Sequence, residues 1–220
     1  MNERVRSSER FLWVGLGLTL AVVFLALLLG VLRLRMSQAR AQALPVYGQV
    51  SDFVLTNQDG QAVSLSNLLG RVWVADIVFT RCAGPCPRMT QKMARMQEAL
   101  GPDNDIGLVT LTTDPEFDTP EVFRAYAQRF GADTRRWMFL TGSKAQIARL
   151  AIDSLKLTAV EKRPEERESP EDLFIHSTIF VVVDRQGRLR GIFETEGEGI
   201  DSQAVTQQVV AAARRLERER

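Results

Sequence analysis

The stretch Val72-Trp73-Val74-Ala75-Asp76-Ile77-Val78-Phe79 runs directly into Thr80-Arg81-Cys82-Ala83-Gly84-Pro85-Cys86-Pro87. Its first half is almost continuously apolar and rich in Val and Ile, the pattern of a strand buried on both faces. Its second half holds both cysteines of the chain, Cys82 and Cys86, with Gly and Pro between them. From Cys86 the apolar residues recur at helical spacing to Leu100, and Gly101-Pro102 ends the helix. A buried strand, a turn and a helix start in that order place the turn at the carboxyl end of a parallel strand. Open α/β sheets carry their sites there.

Outward from this stretch, the period of the apolar pattern alternates. Strands are expected at 53–55, 63–69, 106–112, 137–140, 178–183 and 188–193. Helices are expected at 86–100, 119–130, 144–155 and 201–218, with Thr119 and Ser143 as caps and Pro120 in a first turn. The turn Asp184-Arg185-Gln186-Gly187 is short enough to make an antiparallel hairpin. Residues 158–172, dense in Glu, Lys, Arg and Pro, read as a solvated loop. The order β-β-β-α-β-α-β-α-β-β-α predicts an α/β fold: a parallel sheet with helices on both faces and an antiparallel edge. This is a thioredoxin-like arrangement with extra N-terminal strands.

The 220 residues carry 28 Lys+Arg against 27 Asp+Glu, a net charge of +1 that gives no general pull toward nucleic acid. Two cysteines exclude a disulfide-dense scaffold and a four-cysteine zinc site. Residues 11–32 carry no charge, and Thr19 is their only polar side chain. That length spans a bilayer as one helix. Arg4, Arg6 and Arg10 precede the run and Arg33 and Arg35 follow it, so charge does not set its orientation. Ala39-Arg40-Ala41 resembles a signal cleavage site, but the apolar run is longer than a signal's and ends well before it. The organisation is thus a short tail at 1–10, an anchor at 11–32, a tether at 33–44 and the remaining domain at 45–220.

The cysteines carry the chemistry. A helix N-terminus stabilises an anion and lowers a thiol pKa, and such a thiolate attacks a disulfide or binds a soft metal. A three-residue spacing allows either a disulfide or a shared ion. His176, the only histidine, directly precedes the strand at 178–183, and in a thioredoxin-like fold the residues just before that strand face the cysteine loop. Two thiolates and one imidazole form a trigonal set suited to Cu(I). Asp76 interrupts the buried strand six residues before Cys82. It reads either as a carboxyl of raised pKa able to act as acid or base, or as a strand-edge residue paired with a cation. Thioredoxins carry a buried acid at this spacing, used in proton transfer. Met89, Met93 and Met96 fall at helical spacing and read as core. Asp118 and Thr119 read as caps, whereas Asp114 ends a strand on the site side.

Three segments together resemble the SCO/SenC copper chaperones, over about residues 48–200. They are Val78 through Pro87, Asp114-Pro115-Glu116-Phe117-Asp118-Thr119-Pro120-Glu121, and His176-Ser177-Thr178. Many members have Pro-Asp after the first cysteine, where this chain has Ala83-Gly84. The resemblance implies copper ligation by Cys82, Cys86 and His176, as Cu(I) or Cu(II), and assembly of the copper centre in cytochrome c oxidase. It implies a copper-receiving oxidase subunit or another thiol client as partner. It also implies a single-pass inner-membrane protein whose domain faces the periplasm or another extracytoplasmic space. The alternative is a thiol-disulfide oxidoreductase that never carries copper.

Overall fold

The computed structural model describes residues 19–20, 23–31, 33, 44–102, 104–158, 160–167, 173–175 and 177–219. The chain divides into two compact units, Met1–Ala43 and Leu44–Arg220. In the first, the described residues 19–20, 23–31 and 33 are helical. The rest of the apolar run lies outside the described residues, and no helix among those described is long and apolar enough to cross a membrane.

The second unit opens with β1 (Gly48–Gln49), β2 (Val54–Asn57), β3 (Ala62–Ser64) and the single helical turn α1 (Leu65–Leu68). Then come β4 (Trp73–Val78), α2 (Pro85–Leu100), β5 (Gly107–Thr112), α3 (Pro120–Arg129), β6 (Trp137–Thr141) and α4 (Lys144–Ala148). A π-helical stretch, Arg149–Ser154, continues α4; β7 (Ile179–Val183), β8 (Arg188–Glu194) and α5 (Ser202–Arg218) complete the domain. The eight strands form one sheet in the order β1-β8-β7-β4-β5-β6-β2-β3. β4, β5 and β6 are parallel; β7 lies antiparallel to β4, and β2 antiparallel to β6. The expected parallel centre and closing hairpin are present, flanked by antiparallel pairs on both sides.

The expected strand at 63–69 is half right. It stops at Ser64, and the chain then turns into α1, burying Leu65 and Leu68. The cause is local: Asn67 Oδ1 accepts the Ser64 main-chain N–H at 2.8 Å, closing a capping box that a strand cannot offer. The two-residue β1 escaped the sequence reading.

Every residue of β4 is buried, as its continuous apolar run requires. Successive side chains enter opposite layers. Val74 and Val78 pack with Met89, Met93 and Met96 of α2, which are core residues as expected, and with α3 and α5. Trp73, Ala75 and Ile77 pack with Leu65, Leu68, Ile147 and Leu150 on the other face. Away from the cysteines, the β7–β8 turn holds a buried ion pair. Arg190 Nη1 meets Asp184 Oδ2 at 2.7 Å, and Arg190 Nη2 donates to the Leu44 carbonyl at 2.8 Å and to Glu219 at 3.1 Å. One guanidinium thus ties the first described residue of the domain to its last helix.

Candidate dithiol site

β4 ends at Val78, and the chain passes through the loop 79–84 into α2, whose cap is Gly84. Cys82 ends a tight turn in which its N–H donates to the Phe79 carbonyl at 3.2 Å. Cys86 occupies the first turn of α2. Neither cysteine is in a disulfide; each is 5% exposed, and the two thiols are hydrogen-bonded to one another. The Gly84 N–H donates to Cys82 Sγ at 3.3 Å.

The expectation that the helix start lowers a thiol pKa fails for Cys86. Its bond to Cys82 pushes the thiol well above the ordinary range, and burial and the charge on Cys82 act in the same direction. The helix offers little to offset this. Pro85 and Pro87 take two places in its first turn, and neither has an N–H to donate. The two thiols are coupled and ionise in steps that belong to the pair.

Asp76 lies in the middle of β4, fully buried, so the strand-edge reading does not hold. Its Oδ1 accepts Thr110 Oγ1 at 2.7 Å, and Thr110 Oγ1 in turn accepts the Trp137 indole N–H at 2.9 Å. Its Oδ2 has no hydrogen-bond partner among the described residues. Burial raises its pKa to about 7, against the opposing bond from Thr110. Its charge also adds, as the smallest cause, to the raised pKa of Cys86, so the carboxyl and the thiol sense each other.

The acids of the second motif divide differently from expectation. Thr119 does cap α3, accepting from the Val122 N–H. Asp118, wholly buried, is not a cap: it accepts from the Thr80 N–H and hydroxyl and from the Thr112 hydroxyl, bracing the ends of β4 and β5. Asp114 takes Arg81 Nε at 2.8 Å, and the same guanidinium lies 4.5 Å over the Phe117 ring. This fixes the residue before Cys82 from the side. Sequence reasoning passed over Arg81, although its place beside the cysteine and four residues before Pro85 was legible. On the other flank, Arg88 pairs with Glu196 at 3.2 Å.

His176 lies outside the described residues. On one side of it Phe174 is buried against Phe79, ring centroids 5.0 Å apart; on the other Ser177 is buried. Among the described residues, no group of three or more His, Cys, Asp or Glu gathers to hold a metal.

A parallel-centred sheet, a dithiol at the carboxyl end of its central strand and a buried acid within that strand define a thioredoxin-like domain. The model of the SCO1/SenC family matches residues 42–213, and the chain belongs to that family. It is 37% identical over 147 residues to the SCO1 protein homolog of Bacillus subtilis, covering 66% of this chain and 73% of that one. Among solved structures, BsSco, described as a member of the Sco family of cytochrome c oxidase assembly proteins with a disulfide switch, is 33% identical. It superposes with a TM-score of 0.63 over 78% of this chain and 98% of its own. Copper-bound ScoI of Bradyrhizobium japonicum, 24% identical with a TM-score of 0.62 over 77% of this chain and 99% of its own, shares the fold.

Proposed function

We propose that this protein is a membrane-tethered assembly factor that carries Cu(I) to cytochrome c oxidase, with Cys82, Cys86 and His176 as ligands. The observation that carries this reading is the pair of reduced, mutually hydrogen-bonded thiols at the carboxyl end of β4. Two adjacent sulfurs suit a soft ion, and an imidazole completes a trigonal set. Residues 11–32 supply the anchor, and a thiol pair meant to cycle belongs outside the reducing cytoplasm. Copper is cargo here. Oxidising the pair to a disulfide releases two protons and two electrons and removes two of three ligands, so redox state sets copper loading.

A second reading, thiol-disulfide exchange with a client, is favoured by Asp76. A buried carboxyl with a pKa of about 7 can hand a proton to a departing thiolate or take one from an attacking thiol. The Cys82 thiolate would attack the client disulfide and Cys86 would resolve the mixed disulfide. Copper titration of the reduced protein tests the first reading. One Cu(I) per chain is expected, with a two-sulfur, one-nitrogen shell by X-ray absorption and an affinity that falls as the ligands protonate. A shell unchanged in His176→Ala, together with disulfide turnover that ignores the same change, would leave thiol exchange as the function.

A further inference from the structure

The end of the domain opposite the cysteines carries a face that neither copper nor thiol chemistry uses. Arg71 pairs with Asp105 at 2.9 Å, and the Asp105 N–H donates to Glu217 of α5 at 3.0 Å. Arg185 donates to the Glu219 carbonyl at 3.2 Å and receives the Gly70 N–H at 2.8 Å. Arg214 reaches the Ala99 carbonyl at 2.7 Å, and Arg136 reaches the Gly101 carbonyl and Asn104. These contacts join the amino ends of the parallel strands, the β7–β8 turn and the carboxyl ends of α2 and α5 into one surface. Residue 44 enters on the same surface, held by Arg190.

The charge on this face does not cancel. Asp105, Asp184, Glu217 and Glu219 stand against Arg71, Arg188, Arg190 and Arg215. Arg136, Arg185 and Arg214 instead donate to carbonyl and amide oxygens, which carry no charge, and Arg218 is exposed in the last turn of α5. Large apolar side chains stand exposed among them: Val46 at 55%, Tyr47 at 53% and Leu69 at 46%. Leu69 flanks the turn, 3.3 Å from where a Cβ on Gly187 would stand.

We propose that this face seats on an anionic phospholipid surface. The guanidinium groups take headgroup phosphates, and Tyr47, Val46 and Leu69 enter the headgroup boundary. A planar fork of donors matches phosphate oxygens, and an amphipathic ring is favoured at that depth. The proposal rests on the anchor assigned above. The tether at 33–44 reaches at most about 40 Å fully extended, which holds the face near lipid and lets individually weak contacts suffice. Seated this way, the domain presents Cys82 and Cys86 away from the bilayer.

The full chain in nanodiscs tests this by hydrogen exchange, with phosphatidylcholine alone or mixed with phosphatidylglycerol. Exchange in the 184–188 turn and the last turn of α5 should slow only with the anionic lipid, and salt should reverse the effect. Arg185→Gln, Arg214→Gln and the exposed Arg218→Gln should each reduce the protection about fivefold. Copper binding should not move in any of the three, nor should the unfolding midpoint of Arg218→Gln. Equal exchange in the two lipids overturns the proposal, as does protection that appears only when an acidic partner protein is added. Retention in phosphatidylcholine discs reads the anchor alone. A chain that leaves those discs, yet is protected by phosphatidylglycerol vesicles, loses the anchor and keeps the face.

Discussion

Asp76 is the residue whose chemistry most depends on where the fold puts it. A carboxyl raised from 3.8 to about 7 is protonated in the folded chain and ionised in the unfolded one between those values. The folded state then binds more protons, so stability falls as pH rises through this window and levels off above about 7. The cost at its full extent is at most about 4 kcal/mol. Asp76→Asn should therefore flatten the stability curve and gain most at pH 8, which urea unfolding of the reduced protein at pH 4 and pH 8 would measure. The same variant should change the pH profile of cysteine alkylation. An unchanged profile would leave Asp76 with a structural role. The sequence showed an acid in a buried strand. It did not show that Thr110 bonds one oxygen and leaves the other bare, because the two threonines of β5 look alike in sequence and only register separates them. Register sets Thr110 beside Asp76, while Thr112 turns to Asp118.

Asp118 works at the scale of elements. It takes three donors from the ends of β4 and β5, so its removal leaves buried groups unpaired and lets the loop before Cys82 shift. Asp118→Ala should cost roughly 2–4 kcal/mol by denaturant unfolding and speed alkylation of Cys82, while Asp118→Asn should cost less. Elements were legible where one pattern ran unopposed, as in β4, α2 and the β7–β8 hairpin. They were misread where two patterns overlapped. Val63, Leu65 and Leu69 fit an alternating strand while Leu65 and Leu68 fit a helical turn, and the Asn67 side chain decides for the turn. The change from α4 to π-helical backbone at Arg149 leaves no mark in apolar spacing. At the site, both cysteines were legible from spacing, but the raised pKa of Cys86 was not, because it follows from the bond to Cys82 and from burial, which only the folded loop supplies.

Across the whole molecule, the cysteine end and the arginine end are held apart by the full length of the sheet. Arg190 is the main brace of the second end. Burial alone would raise the Asp184 pKa, but the bonds from Arg190 and Arg188 outweigh it and hold the carboxylate below its usual range. Such a group contributes stability above its unfolded pKa and loses it as pH falls through the folded one. Arg190→Ala should cost about 2–3 kcal/mol at neutral pH, because it leaves the buried Asp184 only the half-exposed Arg188 as a partner. The cost should shrink toward pH 3, as thermal unfolding across pH would show.

The sheet's two outermost strands are its shortest: two residues in β1 and three in β3. A rim that short offers a passing chain almost no ladder to extend. The length sits in the interior, where β4 and β5 are six residues each and already paired on both sides. For a domain that folds beside others of its kind, this is protection against polymerising strand to strand. Lengthening either rim would be expected to bring aggregates before it brought any loss of chemistry.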